Sequence, residues 1–300
     1  MASSARTGAA PVATRATVEL LRLARTASLV ALGPFDRLWR TARRRGDLPP
    51  LWLRRHVGPV GKFESAAREA AALIDRLGLV GEGSRVVDLG CGCGAMVPAL
   101  AERIGAAGRY LGADVHRPSL RWCRRRWAGD PRLAFAAVPV RSPYGGGGGQ
   151  AGAAEPRLPF PAGGADFVLA KSLFTHLLAD EARAYLGEVR RLLAPGGRAL
   201  LTLFLFDGER FRTAPPPAFP HPEPGAPVRW RRAARPHAAV AHERSWFLER
   251  LAEAGLAVER EVAGFHPGEA AVPAGQDVLV VSRRAAPPSG ARGAGGRTPS

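Results

Sequence analysis

Val86-Val87-Asp88-Leu89-Gly90-Cys91-Gly92-Cys93-Gly94 decides how this chain folds. Val86, Val87 and Leu89 form the apolar, β-branched run of a strand covered on both faces. Gly90, Gly92 and Gly94 then permit tight turning and close approach of a ligand to the backbone. From Ala95 to Ile104 apolar residues recur at helical spacing, and Pro98 is tolerable because it falls in the first turn. Strand, glycine loop and helix in this order make a cradle for a nucleotide-type ligand.

The glycines alone admit two kinds of cofactor. Gly90-x-Gly92-x-x-Ala95 fits the loose fingerprint of dinucleotide dehydrogenases, where a pyrophosphate sits on the helix N-terminus. Asp88 weighs against that ligand, because a carboxylate beneath the loop repels a diphosphate and attracts an ammonium. The whole Asp88-x-Gly90-x-Gly92-x-Gly94 run resembles the first motif of class I S-adenosylmethionine-dependent methyltransferases, whose cofactor carries an α-ammonium and no phosphate. Arg109 to Val115 reads as a second strand ending in Asp114, an acceptor for ribose hydroxyls in either class. Leu158-Pro159-Phe160 followed by Ala165 to Ala170 is similar to the fourth-strand region of these methyltransferases. Arg190 to Leu201, with Pro195-Gly196-Gly197 inside it, is similar to their helix, turn and fifth strand.

The resemblance runs from about Leu51, through a helix around Glu64 to Leu77, to the strand Gln276 to Val281. It implies an α/β fold, a Rossmann-like three-layer sandwich with a mostly parallel seven-stranded sheet and an antiparallel terminal strand. It also implies S-adenosyl-L-methionine as cofactor, held by Asp88, Gly90, Cys91, Gly92, Gly94, Asp114, Val115, Pro139 and Lys171. Pro139 departs from the family pattern. Related sequences often end the third strand in an acid that receives the adenine amino group, and proline has no side chain that can accept.

Three hundred residues with 46% hydrophobic content suffice for one large catalytic domain. The expected division is a basic leader over 1–50 with an amphipathic helix near Val18 to Leu32, a methyltransferase domain over 51–284, and a disordered tail over 285–300. Within the domain lie a glycine-rich loop, 144–161, with little functional content, and a proline-rich insertion, 207–242. That insertion, above all Ala214 to Pro236, would overlie the methyl donor as a substrate lid. The longest apolar run, Ala199 to Phe206, is far short of the roughly 20 residues that span a bilayer.

A net charge of +17 would ordinarily point to nucleic acid or an anionic surface. All but Lys62 and Lys171 of the 43 basic residues are arginine, set among abundant Ala, Gly and Pro, which reads equally as a coding bias. Two arginine clusters still stand out. Arg37 to Arg55, with Trp39 and Trp52, leaves a peripheral membrane or anionic-surface contact open, while Arg121 to Arg126 reads as a solvated helix face. Three cysteines form neither a disulfide framework nor a metal set, so no metal is expected and a reducing, cytoplasmic location is. The acid-free segment before Glu19 reads either as an organellar transit peptide or as a bacterial leader.

Methyl transfer is an in-line displacement from a sulfonium, so the protein mainly aligns donor and acceptor. A hydroxyl acceptor benefits from a base, and His176, just past the fourth strand, is the candidate. The competing reading makes His176 a helix-start histidine with a hydrogen-bonded ring; His237 and His242 are weaker candidates. Ala170-Lys171-Ser172-Leu173-Phe174 stands where nucleobase amino-methylating enzymes carry Asn/Asp-Pro-Pro-Tyr/Phe, and no Pro-Cys nucleophile exists. A small-molecule, lipid or glycan hydroxyl therefore ranks above nucleic acid as acceptor. The alternatives are an S-adenosylmethionine-binding interaction protein without turnover and, below it, an NAD-dependent oxidoreductase.

Overall fold

The computed structural model describes residues 27–55, 60–140, 142–144, 155–208, 210–211, 219–222, 227–264 and 275–284. The expected tail, the middle of the glycine-rich loop, parts of the proline-rich insertion and most of the Val18 to Leu32 helix lie outside these residues.

The central sheet is built from β1 (Arg85–Leu89), β2 (Arg109–Asp114), β3 (Leu133–Ala137), β4 (Ala165–Ala170) and β5 (Leu193–Leu203), completed by β11 (Leu256–Val262) and β12 (Asp277–Arg283). Their order is β11-β12-β5-β4-β1-β2-β3. Pairings among β1 to β5 are parallel, whereas β12 runs antiparallel to both β5 and β11. Alternation along β1 divides the core. Val87 and Leu89 pack with α6 (Ala179–Leu192) and α7 (Arg244–Glu253) on one face. Val86 packs on the other face with α3 (Phe63–Arg76), α4 (Val97–Arg103) and α5 (Arg117–Arg126). Three layers result, as expected, with β1 inside the sheet between β4 and β2, where its two apolar faces are both covered.

Two expectations change. Pro195-Gly196-Gly197 is not a turn before the fifth strand but an irregularity inside β5, where the register against β4 slips and Gly196 takes φ +76°. The insertion is not only a loop: β6 (Leu205–Asp207), β7 (Arg210–Phe211), β8 (His221–Pro222), β9 (Val228–Trp230) and β10 (Val240–Glu243) form a second sheet, ordered β7-β6-β10-β9-β8. Strands of two to four residues carry too little alternation to be read in a proline-rich sequence. Asp277 on β12 ties this sheet down, its buried carboxylate accepting from the backbone amides of Leu205 at 2.9 Å and Gly264 at 3.0 Å.

The N-terminal residues are joined to the domain across position 51. In α1 (Gly33–Ala42), Asp36 accepts from Arg54 of α2 (Leu51–Arg54) at 2.7 Å, from the Leu51 amide at 3.2 Å and from Arg40 at 2.9 Å.

Candidate active site

Every parallel strand points its carboxyl end the same way, so the loops after β1, β2 and β4 meet on one edge of the sheet. Gly90 and Cys91 both donate to the Ala113 carbonyl, at 2.7 and 3.1 Å, which folds the glycine loop back over β2. The Gly92 amide donates to Asp114 Oδ2 at 2.7 Å, and the His116 amide to Asp114 Oδ1 at 2.7 Å. Asp114 is thereby oriented by backbone amides on both oxygens.

Gly90, Gly92 and Gly94 all adopt positive φ, between +55° and +79°, which explains glycine at each position. Their surroundings differ. A Cβ on Gly90 would only touch Leu173 at 3.5 Å, whereas one on Gly94 would sit 2.6 Å from the Trp127 ring. Gly94 serves protein packing, not ligand approach. Trp127 in turn stacks on Phe135 of β3.

Asp88 lies beneath the loop, as read from the sequence, but faces the core: it is 2% exposed and accepts from the Tyr110 hydroxyl at 2.8 Å. Burial pushes its carboxyl up to about 7, against the opposing effects of that hydroxyl and of the Lys171 ammonium. Lys171, at the end of β4, is lowered by burial and held up by Asp88 and Glu69. Val115 is partly buried and packs against the α6/α7 side of the core, and Pro139 is exposed two residues beyond β3. Cys91 and Cys93 are buried in the loop, their thiols raised by burial, Cys93 to about 12, so neither is a nucleophile at neutral pH.

His176 ends the short 3-10 helix Phe174–His176. Its Nδ1 lies 2.9 Å from the His237 carbonyl and 3.2 Å from the Tyr144 hydroxyl, which donates to that same carbonyl at 2.6 Å. A carbonyl can only accept, so Nδ1 carries the proton and Nε2 keeps its lone pair. Burial lowers the imidazole below its ordinary 6.5, the His237 carbonyl partly opposing it, and the ring is neutral at pH 7. The turn leading to it is held in an unusual backbone state. Ser172 has φ +58°; its amide donates to Thr202 Oγ1 at 2.7 Å and its hydroxyl to Gln276 at 3.1 Å. Such a conformation in a non-glycine residue costs on the order of 1–3 kcal/mol and persists where neighbours overdetermine it.

His237 contributes its carbonyl to this site and its ring to Glu181 of α6, Nε2 donating to the carboxylate at 3.1 Å. His242 is excluded as a base. It is fully buried, donates from Nε2 to the Phe174 carbonyl at 2.9 Å and is lowered to about 4 by burial. Tyr144 is the residue beside His176 that sequence reading did not single out, because it stands at the edge of a glycine-rich run whose composition masks it.

The stretch from β1 to β5 that carries the glycine loop, Asp114 and His176 matches a family model described as a methyltransferase domain, over residues 87–201; His237, Thr202 and Gln276 lie beyond it. Residues 87–201 are thus similar to a methyltransferase domain. The fold is shared with a solved S-adenosylmethionine-dependent methyltransferase from Aquifex aeolicus, which superposes with a TM-score of 0.50 at 17% identity, covering 76% of this chain and 95% of that one. The mitomycin 7-O-methyltransferase structure superposes with the same TM-score, 0.50, at 20% identity over 78% of this chain and 57% of its own. By sequence, nocamycin O-methyltransferase of Saccharothrix syringae is 34% identical over 143 residues, 47% of this chain and 43% of that protein. A protein of a Streptomyces fradiae transposon is 29% identical over 119 residues, 40% of this chain and 30% of its own length. The chain thus spans less than half the length of these two relatives.

The match to the methyltransferase domain model agrees with S-adenosylmethionine as the cofactor expected from the sequence. The donor set fits this cofactor at one point: the Asp114 carboxylate, oriented by two backbone amides beside the glycine loop, is an acceptor of the kind a ribose diol needs, whereas Asp88 faces the core and is not placed to meet the cofactor's cation.

Proposed function

We propose that the chain transfers the methyl group of S-adenosylmethionine to a hydroxyl, in first place that of a small molecule, with lipid and glycan hydroxyls as the remaining acceptors. The observation that carries this reading is the tautomer of His176: Nδ1–H is committed to the His237 carbonyl, so Nε2 is the basic nitrogen. The 34% identity with nocamycin O-methyltransferase supports an oxygen acceptor.

When bound, the cofactor supplies an electrophilic methyl on a sulfonium, whose departure as a neutral thioether needs no acid. Asp114 would take the ribose hydroxyls, and the amides and carbonyls of Gly90 to Gly94, with Cys91 between them, would line the methionine and ribose portion. Val115 and Pro139 would flank the adenine with apolar surface, since Pro139 offers no acceptor. Asp88 and Lys171 would act from beneath, by charge and by holding β1, β2 and β4 in place. His176 would remove the acceptor's proton at Nε2 as the hydroxyl oxygen bonds to carbon, the imidazolium being stabilised by the carbonyl at Nδ1. Glu181 and Tyr144 would position that carbonyl, which makes the insertion part of the site as well as its cover.

Transfer of label from methyl-labelled S-adenosylmethionine into a small-molecule extract fraction tests this, with calorimetric binding of donor and demethylated product alongside. Tight binding without transfer to any extract fraction would favour a binding protein without turnover, and binding of neither would overturn both readings.

A further inference from the structure

Helix α1 is mounted inside out. A surface helix normally turns its apolar stripe to the body and its charges to water. Here Phe35, Leu38, Trp39 and Ala42 recur at i, i+3, i+4 and i+7, and this stripe faces outward, with Phe35 71%, Leu38 68% and Trp39 47% exposed. The charged stripe faces inward. Asp36, its side chain 6% exposed, is locked to Arg54 and Arg40, and no residue of the helix is buried. The orientation is therefore imposed by a three-donor clamp and is not a consequence of loose attachment.

We infer that the outward face of α1 docks the protein on an anionic lipid bilayer. Aromatic and leucine side chains on one stripe with arginines around it are the composition of a helix that lies in a membrane interface. Arg43 and Arg44, just past the end of the helix, and Arg37 on its flank are exposed, and the positive charge they give this segment complements anionic headgroups. Val30, 53% exposed, and Leu32, 47% exposed, extend the apolar surface ahead of the helix. A second copy of the chain is a poorer occupant. Ten residues of helix are about 15 Å long, and a stripe about 10 Å wide offers about 150 Å², against roughly 800 Å² per partner in a stable interface. Among the described residues no helix is long and apolar enough to cross a membrane, so the contact is peripheral.

The full chain is tested by co-sedimentation with vesicles of equal parts phosphatidylglycerol and phosphatidylcholine, and with phosphatidylcholine alone. Binding to the anionic vesicles that weakens with salt is the expected result. The Phe35→Ser/Leu38→Ser/Trp39→Ser variant should bind about tenfold or more weakly at unchanged net charge, and Trp39→Glu should weaken binding in the same direction. Both should melt as the parent does, because the altered side chains are exposed. Absence of binding, or equal binding by parent and triple variant, would overturn the inference. A dimer of the parent in solution that the triple variant converts to monomer would overturn it too, assigning the face to self-association. No methyl donor enters these measurements, so their outcome is independent of the catalytic reading.

Discussion

At the residue scale, the two ionisable groups that matter are shifted by burial in opposite senses of charge. Asp88 is raised to about 7 from an ordinary 3.8, so the fold favours its neutral form. The stability associated with that form is fully present below 3.8 and is lost as pH rises through about 7. Asp88→Asn removes this loss. The melting temperature of the variant minus that of the parent should grow from about pH 4 to about pH 7 and then level off; a difference flat across this range would remove Asp88 from the account. His176 is lowered from 6.5 by burial, so the acid limb of kcat/KM should fall below that value. His176→Ala should reduce kcat by about 10²-fold or more with donor affinity unchanged, measured by steady-state kinetics and calorimetry. Asp88 and His176 were both legible in sequence because each is a titratable residue within or shortly after an apolar strand. The partners that set their ionisation, Tyr110 and the His237 carbonyl, were not, being 22 and 61 residues away.

At the scale of elements, the turn after β4 is a strained hinge between sheet and base. Thr202 of β5 and Gln276 just before β12 hold Ser172 at positive φ, so a residue outside the loop determines where His176 sits. Thr202→Val leaves the Ser172 amide without its partner. The expected cost is about 1–3 kcal/mol in chemical denaturation, with kcat falling more than donor affinity. The glycine loop gives a second element-level outcome. Gly94→Ala combines a positive φ with a Cβ 2.6 Å from Trp127, and should destabilise the fold, whereas Gly94→Ala with Trp127→Leu should recover part of the loss. The sequence pattern located this loop and its helix, since strand, glycines and a first-turn proline are local signals. The second sheet escaped it, since its short strands are defined by pairing and not by periodicity.

At the scale of the whole molecule, Asp36 welds the N-terminal helices to the domain. Arg54 is almost fully buried against it, so Asp36→Ala leaves an unpaired charge and should cost roughly 3–5 kcal/mol in denaturant unfolding. A paired replacement, Asp36→Leu with Arg54→Met, should be much less damaging, because the uncompensated charge is gone. Equal loss in the single and double variants would show that the geometry, not the ion pair, is what matters. Composition could not expose this weld: Arg54 is one arginine among many in a chain of net charge +17.

By itself the sequence pointed to alternating strands and helices of an α/β fold with parallel strands and to the position of the glycine loop, and its resemblance to methyltransferases added the seven-stranded sheet; the strand order came from the structure. The elements and the loop follow from runs of apolar residues, helical spacing and glycines, which act over a few residues and are readable where they stand. Only the tertiary structure decided which groups turn inward. It set Asp88 towards Tyr110, gave Gly94 to Trp127, joined His176 to a carbonyl of the insertion and turned the apolar stripe of α1 to the outside. Each of these depends on groups distant in sequence meeting in a low-dielectric interior, where burial and pairing outweigh local preference.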